Sequence, residues 1–165
     1  IYGFDIVTVN PYMGYDSIEP FLAYKNKGIY ILCKTSNKGS EDFQDVQIQN
    51  GKKLYEYVAE KCSTWSSSDN LGFVIGATYT KELMNLREVL PKYNFLIPGI
   101  GEQGGTISDV ISSVMIKGSK NNFVINSSRS ILYASDNKDN FYNHARKKCI
   151  ELRDNINKIL KKSSV

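Results

Sequence analysis

Five short apolar runs rich in β-branched and aromatic residues punctuate this chain, at 4–9 (F-D-I-V-T-V), 28–33 (G-I-Y-I-L-C), 71–75 (L-G-F-V-I), 95–97 (F-L-I) and 123–125 (F-V-I). Stretches of helical period lie between them. A helix linking two strands returns the chain to the end of the sheet from which it set out, so strands joined this way run parallel. The fold class is therefore α/β with a parallel sheet. The helical stripes are Ile18, Phe21 and Leu22, behind a cap at Asp16 or Ser17; then Leu54, Val58, Cys62 and Trp65; then Leu83, Leu86 and Leu90, behind a cap at Thr80. A fourth helix is expected around 110–115. A long closing helix is expected to bury Tyr142, Ala145, Cys149, Leu152, Ile156 and Ile159, with a frayed tail at 161–165.

A chain of 165 residues can bury the core of one domain. Its apolar fraction of 41% and charged fraction of 23% are ordinary for a globular protein. No apolar run approaches the length of a membrane span, and the first residues lack the pattern of a secretory leader. A cytoplasmic protein with no membrane partner is expected. Cys33, Cys62 and Cys149 are odd in number and lack ligand spacing, so they read as free buried thiols. His144 is the one histidine and falls in a polar helical stretch, so no metal site and no histidine triad is expected. Of the formal charge of +4, the whole excess lies in 136–165, which carries eight basic against four acidic side chains. No aromatic residues interleave with that charge on a sheet, so it reads as a solvated helix face and no nucleic-acid partner is expected.

Chemistry concentrates where the strands end. The stretch 95–106 reads F-L-I-P-G-I-G-E-Q-G-G-T, a buried strand that opens into a loop with four glycines in seven residues. Glycine admits positive φ and lets backbone N–H groups approach a ligand, as anion sites require. A second candidate anion site, Asn126-Ser127-Ser128-Arg129, follows the next apolar run. Asn10, Thr35-Ser36-Asn37, Thr78, Gln103 and Arg129 all stand just past strands. In parallel α/β folds ligands bind at that edge, in open sheets and closed barrels alike.

Five motifs occur in order: T-V-N-P-Y-M-G at 8–14, K-T-S-N at 34–37, G-A-T at 76–78, I-P-G-I-G-E-Q-G-G at 97–105 and N-S-S-R-S-I-L-Y-A at 126–134. Together they resemble the second half of the orotidine 5′-phosphate decarboxylase family, in the branch whose phosphate loop reads P-G-I-G-x-Q-G-G. The likeness covers nearly the whole chain and thins after Ala134. It implies a (β/α)8 TIM barrel of which this chain supplies about five β/α units, strands four to eight, with 1–160 as the C-terminal portion of a single barrel domain. It also implies a homodimer that decarboxylates orotidine 5′-monophosphate to UMP in de novo pyrimidine biosynthesis, with no cofactor. Carried over by position, Gln103 and Arg129 resemble the phosphate ligands, with backbone amides near Gly105, Ser128 and Arg129 beside them. A guanidinium fork and an amide donor suit a phosphate dianion. Ser36, with Thr35 beside it, resembles the residue that hydrogen-bonds the pyrimidine edge, and Pro98 resembles the apolar contact near the base. The segment 10–13 would lie near the dimer interface. Many family members have glycine where this chain has Ser128.

The family's chemistry rests on an Asp-x-Lys-x-x-Asp array at the end of an earlier strand. No catalytic residue is therefore assigned in this chain; the array is expected upstream of Ile1, on an N-terminal half of the barrel that would be this chain's partner. Asp136-Asn137-Lys138-Asp139 follows the last strand with the wrong spacing and reads as a solvated turn. Fusion to an orotate phosphoribosyltransferase, as in some relatives, stays open. So do two other readings. One is a flavodoxin-like doubly wound domain that binds a phosphorylated ligand without catalysis, although its phosphate loop would follow the first strand and not the fourth. The other is a different phosphate-binding barrel enzyme, such as a sugar-phosphate isomerase or epimerase, which would need a general base where these strand ends offer mostly neutral residues.

Overall fold

The computed structural model describes residues 3–100, 106–115, 122–137 and 139–163. Its strands are β1 (Ile6–Val9), β2 (Gly28–Lys34), β3 (Leu71–Ile75), β4 (Asn94–Pro98) and β5 (Phe123–Asn126). All neighbouring pairs are parallel, and the order across the sheet is β1-β2-β3-β4-β5. That order never reverses. A doubly wound domain needs a reversal to place helices on both faces, so the flavodoxin-like reading is set aside. Right-handed crossovers between strands that advance in one direction put every linking helix on the same face, as in a barrel wall.

The helices are α1 (Tyr15–Leu22), α2 (Leu54–Ser63), α3 (Thr80–Val89), α4 (Ile107–Val114), α5 (Arg129–Leu132) and α6 (Phe141–Ser163), with 3-10 turns at Pro11–Met13 and Lys38–Asp42. Alternation along β2 sends Ile29, Ile31 and Cys33 into the core with Ile18, Leu22, Tyr55, Ala59, Cys62, Leu83 and Leu86 from the helices. Ile31, Phe73, Phe95 and Phe123 lie in register across four strands on that face. The opposite parity, Leu32, Val74, Leu96 and Val124, forms an equally continuous apolar row. Its coverage fades toward the sheet edge, where Val124 is 51% exposed. Below it the Tyr30 ring lies so close over Gly72 that a Cβ there would stand 2.6 Å from the ring and from the Asn94 carbonyl.

Buried Arg87 secures the opposite, N-terminal end of the sheet. Its guanidinium donates to the carbonyls of Leu90 (3.2 Å), Tyr93 (2.8 Å) and Asn122 (2.8 Å) and lies 3.7 Å from the Phe95 ring centroid. One side chain thus ties the end of α3 to the starts of β4 and β5. Burial pulls its pKa down to about 10, which leaves it charged at neutral pH.

Several local expectations change. Helix α1 is entered through Gly14 at φ 92 with no side-chain cap from Asp16 or Ser17, and Phe21 is exposed while Ile18 and Leu22 are buried. Thr80 is the first residue of α3 and Tyr79 its cap. Trp65 lies past the end of α2, tilted against Tyr15 with ring centroids 5.7 Å apart. The largest difference concerns α6. Tyr142 and Cys149 are exposed, and Ala145, Leu152, Ile156 and Ile159 are only half-buried. This helix packs chiefly on α4 and α5, so its apolar stripe meets mainly two helices. Cys149 is accordingly a free exposed thiol, whereas Cys33 and Cys62 are buried. The helix runs through Ser163, and residues 164 and 165 of the expected tail lie outside the described residues.

Candidate functional site

The C-terminal ends of β2, β4 and β5 open on a cleft of about 170 Å³ lined by Ser36, Pro98, Gly99, Ile100 and residues 126–130. Four residues chosen from sequence therefore meet here: Ser36, Pro98, Ser128 and Arg129. The cleft exists because the strand ends are stitched together. Gly76 N–H donates to the Lys34 carbonyl (2.7 Å), and Ala77 N–H donates to the Pro98 carbonyl (2.8 Å). Gly99 then takes φ 98, a conformation that strains any residue with a Cβ, and turns the chain away at the mouth. On the far wall Ser127 and Ser130 share a 2.6 Å hydroxyl contact that braces the turn carrying Ser128 and Arg129.

Thr35 is not among the lining residues. Its N–H donates to Gln44 Oε1 (2.9 Å), its Oγ1 accepts from Gln44 Nε2 (2.8 Å), and its hydroxyl proton goes to Asn37 Oδ1 (2.7 Å). One residue earlier, Lys34 is wholly buried at a register shift in β2. Its Nζ lies 2.6 Å from Asp45 Oδ2 and 4.2 Å from the Tyr79 ring centroid. Asp45 also accepts from Lys53 Nζ at 3.0 Å. Burial alone would raise the Asp45 carboxyl, but the hydrogen bonds and charges of Lys34 and Lys53 outweigh it and hold the group below the usual carboxylate range.

The other strand-end candidates go elsewhere. Asn10 Oδ1 accepts from Tyr12 N–H (3.0 Å) and shapes the turn in which Tyr12 and Met13 are exposed. Thr78 Oγ1 is buried with no hydrogen-bond partner among the described residues. Gln103 and Gly105 lie outside the described residues, as does Lys138. Among the described residues no cluster of three or more histidine, cysteine or acidic groups could hold a metal ion, and no helix is long and apolar enough to cross a membrane. Lys34, Gln44, Asp45 and Gly76 escaped selection from sequence as individual site residues. The one available signal was Lys34, a lone charge ending an apolar strand.

A family model described as orotidine 5′-phosphate decarboxylase / HUMPS matches residues 1–141. The chain belongs to that family. It is 48% identical over 159 residues to an orotidine 5′-phosphate decarboxylase of Dehalococcoides mccartyi, covering 93% of this chain and 57% of that protein. It is 39% identical to one from Natronomonas pharaonis, covering 94% and 58%. Among solved structures, Leishmania donovani OMP decarboxylase superposes with a TM-score of 0.74 at 36% identity, covering 94% of this chain and 57% of that one. Leishmania donovani UMP synthase gives 0.75 at 38% identity, covering 90% and 32%. The chain thus spans somewhat more than half the length of the curated decarboxylases it matches. In the decarboxylase fold, a TIM barrel, its five parallel β/α units form an arc of the wall, and the cleft lies at the end of that arc where barrel sites form.

Proposed function

We propose that this chain is the phosphate- and pyrimidine-binding part of a cofactor-free orotidine 5′-monophosphate decarboxylase that yields UMP. The observation that carries this reading is the convergence of Ser36, Pro98, Ser128 and Arg129, from three separate strand ends, on one cleft. In this reading Arg129 binds the phosphate dianion, with Gln103 from the glycine loop and backbone amides near Gly105, Ser128 and Arg129 completing the site. Ser36 hydrogen-bonds the pyrimidine edge and Pro98 packs beside the base. The acid and proton-donating lysine come from an Asp-x-Lys-x-x-Asp segment outside this chain. Binding energy from the remote phosphate is then used to hold the reacting carboxylate against a negative charge, which raises the rate and does more than tighten binding.

The protein acts in the cytoplasm as a homodimer, and the exposed Tyr12 and Met13 on a rigid turn are the surface that supports dimerisation. The likeness to a UMP synthase supports, in the same spirit, a fusion to a phosphoribosyltransferase. Decarboxylation, followed by the absorbance loss of orotidine 5′-monophosphate, tests the reading in the full-length protein. Arg129→Ala is expected to lower kcat/KM roughly ten- to hundredfold, the scale of a hydrogen bond to a charged group. Unchanged kinetics for Arg129→Ala would remove the phosphate assignment, and an inactive full-length wild type would remove the decarboxylase reading altogether.

A further inference from the structure

Ser36 reaches the cleft from a loop, yet its backbone is as constrained as a strand's. On one side it rests on Gly76: a Cβ at Gly76 would stand 2.7 Å from Ser36 Cβ and 2.8 Å from its Cα and N. On the other side the two residues before it are clasped to the two residues at 44 and 45. Lys34 pairs with Asp45 and Thr35 with Gln44, so two consecutive rungs join the end of β2 to the segment after the 38–42 turn.

The Gln44 rung has a defined polarity. A backbone N–H only donates, so the amide oxygen must face Thr35 N, and the amide nitrogen then faces Thr35 Oγ1. That hydroxyl, having accepted from Gln44, gives its proton to Asn37 Oδ1, so the Gln44 amide and the Thr35 side chain hold each other in place. Gln44 is itself held at the main chain, where its N–H donates to the Ser40 carbonyl (2.9 Å) and its carbonyl accepts from Tyr55 N–H (3.1 Å).

We infer that Gln44 is a positioning residue: its two-point hold on Thr35, with Gly76 as the floor, aims Ser36 at the pyrimidine edge without Gln44 touching the ligand. Thr35 on this account serves Ser36 and makes no substrate contact of its own. The inference rests on the decarboxylase reading and deepens it, because it separates recognition of the base from recognition of the phosphate.

The test uses the full-length protein with Ser36→Ala, Gln44→Ala, Gln44→Glu, Thr35→Val and the Ser36→Ala/Gln44→Ala double variant. Kinetics are measured with orotidine 5′-monophosphate, and dissociation constants with UMP and with ribose 5-phosphate, which lacks the base. Ser36→Ala and Gln44→Ala are each expected to lower kcat/KM and weaken UMP binding about tenfold, with ribose 5-phosphate unchanged. The double variant should lose no more than the worse single variant, because both act through one contact. Gln44→Glu, which keeps an acceptor for Thr35 N–H, should recover part of the loss. Thr35→Val, which is nearly isosteric, supplies the same comparison if Gln44→Ala fails to fold. Losses that multiply in the double variant, equal weakening of both ligands, or wild-type kinetics in Gln44→Ala would each overturn the inference while leaving the decarboxylase assignment intact. A wild-type protein that neither turns over the substrate nor binds UMP would overturn both.

Discussion

Lys34 has none of its side chain in solvent, and the one acidic group it pairs with among the described residues is Asp45. Breaking such a pair from one side leaves an unpaired buried charge, a cost of about 3–5 kcal/mol, whereas replacing the charge with an apolar side chain of similar length costs less. Asp45→Asn is therefore expected to destabilise the full-length protein more than Lys34→Met does, as read from urea midpoints. The pH dependence has one sign. Because the native Asp45 pKa is depressed, its stabilisation is complete above the ordinary value of 3.8 and disappears as pH falls through the lower native value. Wild type should lose more stability than Asp45→Asn over that acid window, and parallel losses would mean that the pair contributes nothing. The thiols separate equally clearly. Burial pushes Cys62 up to about 12 and Cys33 higher still, so a thiol reagent at pH 8 should label Cys149 alone, as peptide mapping would reveal.

Between elements, the contacts at the two ends of the sheet serve different purposes. At the N-terminal end Arg87 joins α3, β4 and β5 through three carbonyls and a ring. Lysine has the charge but not the planar fork, so Arg87→Lys should cost about 2 kcal/mol or more of stability and leave kcat/KM of the folded fraction untouched. At the C-terminal end the approach of β3 to the loop after β2 does the reverse. Gly76→Ala would push against Ser36 backbone, so activity should fall by more than stability does. A Gly76→Ala enzyme with full kcat/KM would mean that Ser36 has room to spare.

Among the described residues the sheet has two open edges, β1 and β5, and an apolar row that loses cover toward one of them. Ile6 and Val7 on β1, with Phe4, Phe21 and Tyr24 beside them, are exposed around a groove of about 210 Å³. Edges of this kind pair with other chains unless the rest of a barrel closes them. The 165-residue chain produced alone should therefore associate with rising concentration in sedimentation experiments and melt without a sharp transition. A monomer that unfolds cooperatively would contradict this.

Strand and helix positions were legible because they depend on local periodicity: Leu71–Ile75 was read to the residue, and the other strands within two positions. The residues of the cleft were legible for a related reason, since Ser36, Pro98, Ser128 and Arg129 all stand at or just past the end of a strand, and parallel folds carry their sites there. What no local pattern contains is which elements meet. Only the strand order excluded a doubly wound sheet, because pairing is a contact between distant segments. Only packing made Lys34 a buried ion, made Gln44 the partner of Thr35, and left Cys149 in solvent although its stripe reads as core. The sequence by itself determined where the chain is strand or helix and which polar groups stand at the strand ends. Tertiary structure decided which of those groups face a common space and which hold them there, since burial and hydrogen-bond partnership are properties of neighbours, and neighbours are set by the fold.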